Sequence, residues 1–162
     1  MKSRGLNLKV VFLILALSPG CFGQQFWRGT RYGMSKPQLK ALFRAKLTPE
    51  SKSQKGDAYS SLTMSESFCG GEFEARFIFI PIKSVDQVMG VQLSTGSNNT
   101  AGTIGECVLM QYIAAYGDPL TIKDGFPGKR YMFAKGSTVV ELMISPETDF
   151  VFIKYGSRVR GL

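Results

Sequence analysis

The sequence predicts an α+β fold, a two-layer sandwich of about six antiparallel strands in two β-meanders with two helices on one face. Three observations carry this. Two segments bear helix-start signals, each is followed by three short apolar stretches suited to strands, and the joins between those stretches are short and rich in Gly, Pro and Ser. Strands joined by short turns run antiparallel, and two amphipathic helices suffice to cover one face of such a sheet. The chain therefore reads as one plan used twice, a helix and then three strands. A pair of small subdomains with separate sheets is the alternative.

The first helix starts at Ser35, which can cap it with Gln38 three positions on, while Met34 and Leu39 stand where a hydrophobic staple closes. Pro37 in the first turn costs nothing, because its missing N–H would have had no partner there. Leu39, Leu42 and Phe43 follow at helical spacing and make one apolar face over about three turns. The polar segment 48–56 lacks apolar periodicity and reads as a loop. Strands are expected at 58–64, 72–81 and 86–95. The middle one is clearest, since Phe73, Ala75, Phe77 and Phe79 alternate with Glu72, Glu74, Arg76 and Ile78. Residues 67–71 supply the turn before it, and Pro81 is expected to end its regular pairing.

The segment 94–102 is a second loop, and the helix after it is expected over 103–116. Thr103 and Glu106 suit a second capping box, and Gly117 followed by Pro119 gives the stop. Ile104, Val108, Leu109, Tyr112, Ile113 and Tyr116 share one face, with Cys107 nearly opposite. Three more strands fit 129–134, 138–144 and 149–155, joined by a tight hairpin at Lys135-Gly136 and a turn at 145–148.

The N-terminus carries an address. Lys2, Arg4 and Lys9 precede an uncharged run from Val10 to Leu17, then Ser18-Pro19-Gly20-Cys21-Phe22-Gly23. This is the layout of a secretory signal peptide, too short to span a bilayer of roughly 30 Å of hydrocarbon. Cleavage after Gly23 is favoured because Cys21 and Gly23 are small residues at the inspected positions, leaving one exported domain over 24–162, periplasmic or secreted, with no integral membrane segment. The competing cut before Cys21 would leave a lipid-anchored cysteine, but Ser18 and Pro19 make a poor lipid-attachment signal.

Composition narrows the chemistry. The 139 residues from 24 to 162 carry a net charge of +5, contain no histidine, and keep two cysteines, Cys69 and Cys107. His-based triads, His general bases and His-ligated metals are excluded, and two cysteines cannot complete a four-thiolate zinc site. No cofactor and no metal are expected. In an oxidising compartment the two cysteines are expected to pair as a structural disulfide. The turn at 67–71 must then lap around the flank of the second helix.

Two further stretches carry a resemblance. Tyr32-Gly33-Met34-Ser35-Lys36-Pro37-Gln38-Leu39, a glycine before a capped short helix with a meander after it, resembles the small lipoproteins of the outer-membrane barrel-assembly machinery. It also resembles the β-lactamase inhibitor protein family, which duplicates a helical unit and a meander. Tyr116-Gly117-Asp118-Pro119 looks like a helix exit of the same class. The resemblance covers the plan of most of the exported chain and implies envelope or secreted binding modules without catalysis. This sequence departs from it in having one helix per repeat, and no functional residue is carried over.

Charge is the strongest functional signal. Residues 24–56 hold eight basic groups against Glu50, a net +7, whereas residues 57–162 hold nine basic and eleven acidic groups, a net −2. Arg28, Arg31, Lys36, Lys40 and Arg44 are the candidate ligand-binding face, and the last three fall on one strip of the first helix. Such a face suits an anionic envelope surface or an acidic protein. Phe26-Trp27-Arg28 and Arg31-Tyr32 interleave rings with guanidinium groups as single-strand binders do, but export leaves no nucleic acid to bind, and Trp27 and Tyr32 are expected to anchor the N-terminus on the sheet. Asn98-Asn99-Thr100 matches the N-glycosylation acceptor, which matters only in a eukaryotic secretory route.

No catalytic residues are assigned. Glu72 and Glu74 lie on the strand side away from the aromatic core, and the serines lack a base to activate them. The favoured reading is an exported, non-enzymatic binding or scaffold module at the cell envelope. The alternative is a secreted inhibitor of a hydrolase, acting through loops 65–71 or 124–128, and an enzyme of unknown class comes third. Under the favoured cut, mass spectrometry of the exported protein should find Gln24 at its N-terminus.

Overall fold

The computed structural model describes residues 26–49, 60–96, 103–125, 128–145, 147–148 and 150–158. The segment expected to direct export, with Cys21, and Asn98-Asn99-Thr100 lie outside the described residues. The chain begins with a 3₁₀ turn at Trp27–Gly29 and helix α1, Lys36–Phe43, followed by a second 3₁₀ turn at Arg44–Lys46. Strands β1 (Thr48–Pro49), β2 (Ser60–Phe68), β3 (Gly71–Ile82) and β4 (Val85–Thr95) complete the first half. Helix α2 (Thr103–Tyr116) and strands β5 (Thr121–Gly125), β6 (Gly128–Lys135), β7 (Thr138–Ser145) and β8 (Phe150–Ser157) form the second.

All the strands join one antiparallel sheet in the order β1-β2-β3-β4-β8-β7-β6-β5. The fold is α+β, but the expected six strands in two meanders are corrected to seven full strands, plus the two-residue β1, in one sheet. The last strand of each half closes it, with β4 pairing β8 from Val91↔Tyr155 to Ser94↔Phe152. Beyond Gly90 the edge of β4 is taken up by the segment before α1. Gly33 N–H donates to Val88 O and Val88 N–H to Met34 O, each at 2.8 Å.

A single row of side chains shows why both helices lie on one face. Leu62, Phe77, Val91, Tyr155, Val140 and Phe133 are neighbours across six strands, and all are buried. Phe43 of α1 meets Phe77 at 5.2 Å between ring centroids. Tyr112 of α2 meets Phe133 at 5.9 Å and Tyr155 at 6.3 Å. Because cross-strand partners share a face, these contacts put α1 and α2 on the same side.

Ser35 caps α1 with the expected reciprocal box: Gln38 N–H donates to its hydroxyl, and its own N–H donates to the Gln38 side chain. The helix runs two turns rather than three. Arg44 stops it with a φ of 53°, in the region glycine favours, and donates its N–H to Lys40 O. α2 matches its expected bounds, with Ile104, Val108 and Tyr112 buried.

Three local expectations fail for physical reasons. β2 runs on to Phe68, so the β2–β3 turn narrows to Cys69-Gly70, both with positive φ as a tight hairpin requires. Pro81 stays in the ladder opposite Asp86, beside the turn-closing pair Ile82↔Val85. Next to such a closing pair the strands exchange no hydrogen bond, so proline removes none from β4. The second hairpin turns at Gly136-Ser137, between Lys135 and Thr138, one residue later than expected.

Candidate functional site

The five candidate basic residues differ in what they contact. Arg28 sits in the first 3₁₀ turn with φ 51°, pairs with the Glu66 carboxylate, and lays its guanidinium carbon 5.3 Å from the Trp27 ring centre. Lys36 is bound to Asp86 at 2.5 Å and lies over Phe79 at 5.2 Å, so it fastens α1 to the β3–β4 hairpin. Both cations are therefore engaged within the fold. Arg44 leaves the helical strip at the cap. Arg31, Lys40 and Arg44 are exposed and make no ion pair with any of the described residues. Lys46 is exposed as well, and so is Leu42 at 44%, which stands two positions from Lys40 and so on a different side of α1.

Cys69 and Cys107 are bridged, with Cα atoms 5.7 Å apart. The turn laps the flank of α2 closely. A Cβ on Gly71 would come within 2.9 Å of Ile104 Cδ1, so the end of that side chain would have to move to admit one. The bridge is compatible with an oxidising compartment, and among the described residues no helix is long and apolar enough to cross a membrane. Glu72 and Glu74 are exposed; Glu72 accepts from the Ser67 hydroxyl, and Glu74 pairs with Arg76 at 3.3 Å.

Among the described residues a concave feature lies elsewhere, in a cleft of about 300 Å³ between the two halves. Trp27 and Arg28 line it from the turn before α1, Phe68 from the end of β2, Tyr155 from β8, and Gln111, Tyr112 and Tyr116 from α2. Trp27 is braced by Phe43, stacked at 6.0 Å, and Tyr116 by Tyr112, stacked at 5.7 Å. Among the described residues no ring contact joins the Trp27–Phe43–Phe77 set to the Tyr112–Tyr116–Phe133–Tyr155 set. The cleft is the gap between them.

At its base the hydroxyls of Tyr112 and Tyr155 share a buried hydrogen bond. Burial raises the pKa of both, and to a lesser degree that of Tyr116, because a phenolate would lose its water there. All three phenols stay protonated through the physiological range and act as hydrogen-bonding groups rather than bases. The folded state holds these protons more tightly than the unfolded state, so their contribution to stability is complete below the ordinary tyrosine pKa of 10.0 and is lost as pH rises above it. Denaturation midpoints should therefore fall above about pH 10. Phenolate absorbance should show Tyr112 and Tyr155 ionising only with unfolding, and a native protein in which both phenolates form would contradict this.

Comparison with protein-family models, curated proteins and solved structures found no match to this chain.

Sequence reasoning placed Trp27 as an anchor and Tyr112 and Tyr116 on the apolar face of α2, and both placements hold. It missed the cleft. The lining comes from four segments that only the β4–β8 junction brings together, and Tyr155 carried no signal beyond its place in a strand.

Proposed function

We propose that the protein is an exported, non-enzymatic binding module that works at the cell envelope and approaches an anionic surface with its basic N-terminal side. The observation that carries this reading is that Arg31, Lys40 and Arg44, close together in the N-terminal sequence, are exposed and unpaired among the described residues. Basic groups held near anionic headgroups contribute about 1 kcal/mol each, less as salt screens them.

Changing Arg31, Lys40 and Arg44 together to glutamine should weaken association with phosphatidylserine-containing vesicles by roughly one to two orders of magnitude at low salt. Stability should move by no more than about 0.5 kcal/mol per site. Lys36→Gln should affect vesicle binding less, since Lys36 already faces Asp86. Equal binding by the triple variant and the parent at low salt would remove this reading. The hydrolase-inhibitor reading would then lead, favoured by the Cys69-Gly70 turn, which the disulfide to α2 holds in shape before any partner arrives.

A further inference from the structure

We propose that the cleft between the two helices binds a neutral saccharide, one or two rings in size, as a ligand site separate from the basic side. Three features of its lining select that chemistry. The first is aromatic. Trp27, Phe68, Tyr112 and Tyr116 line the space with aromatic rings, and the polarised C–H groups of a pyranose pack against such rings by a weak form of the attraction that holds cations there.

The second is charge. Arg28 is the one ionised group among the lining residues, and Glu66 already neutralises it. A carboxylate or ammonium ligand entering this space would lose its water without gaining an unengaged counter-charge. A neutral ligand loses far less.

The third is hydrogen bonding. Two phenol hydroxyls that share one hydrogen bond hold two protons between them, so the pair at the base has one O–H left to donate. Gln111 adds an amide that both donates and accepts, and Tyr116 adds another hydroxyl. Sugar hydroxyls also do both, whereas an apolar ligand would cover these groups without answering them. The volume, about 300 Å³, stands at the small end of ligand sites and limits the occupant to a short saccharide or the end of a longer one.

Trp27 is the only tryptophan in the chain, so its emission reports on this cleft directly. Cellobiose, maltose and N,N′-diacetylchitobiose, each titrated to about 10 mM, should include at least one that changes the emission saturably with a dissociation constant on the order of 1 mM. Gln111→Ala, at an exposed position, should weaken that binding by about tenfold, and Tyr116→Phe, which removes the hydroxyl that α2 adds to the lining, by a similar factor. Binding should persist at high salt, where vesicle association is lost, so failure of the basic side and failure of the cleft read separately. No saturable response to any of the three sugars would overturn the proposal. So would a response confined to N-acetylphenylalanine amide or phenylacetate, which would reassign the cleft to an aromatic side chain or an aromatic acid. A response unchanged by both substitutions would overturn it as well, by placing the sugar elsewhere.

Discussion

Phe77→Ala is expected to destabilise the protein by about 3 to 5 kcal/mol, the usual cost of deleting a fully buried aromatic ring. Phe77 is 0% exposed, stands between Leu62 and Val91 in the row that crosses the sheet, and carries both Phe43 and Trp27. Its removal leaves a cavity under α1 that neither neighbouring strand can fill without breaking its pairing. Urea denaturation of parent and variant should show a lower midpoint at an unchanged slope. Leu42→Ala, on the open side of the same helix, should cost within about 0.5 kcal/mol. A loss below about 1 kcal/mol for Phe77→Ala would mean that α1 does not rest on β3.

Opening the Cys69–Cys107 bridge is the second large effect. The cysteines are 38 residues apart in sequence, and the chain-entropy account gives a loop of that size about 3 to 4 kcal/mol, an amount that strain or residual structure in the unfolded chain can reduce. Cys107→Ser alone, Cys69→Ser alone and the double variant should lose nearly the same stability, because all three remove one shared constraint. Non-reducing peptide mapping should recover one disulfide from the folded protein purified under oxidising conditions. Two free thiols in that folded chain would refute the bridge.

What was legible in the sequence follows from where each signal is stored. The start of α1 is a local matter of Ser35, Pro37 and Gln38, and β3 announces itself because one of its sides is buried along most of its length. β5 was invisible for the opposite reason. All five of its residues are exposed at the sheet edge, so no alternation marks them, and β6 alone defines the strand. The pairing of the basic residues was equally hidden. Glu66 and Asp86 lie far along the chain from Arg28 and Lys36, and only the register of the sheet brings them near. The cleft depends on the same long-range placement.

The junction of β4 with β8 has a kinetic consequence. Hairpin neighbours close short loops, whereas Val91 and Tyr155 meet only after α2 and three further strands have been brought back to the first half. Closing that long loop costs entropy before its contacts repay it, so local hairpins are favoured to form early and the strand junction late. Until then each half presents an unpaired strand edge that a matching strand from another molecule could take. The disulfide joins the turn of the first half to the helix of the second. Closing the disulfide early therefore shortens the search for the correct partner strand at the stage when the chain is most open to the wrong one.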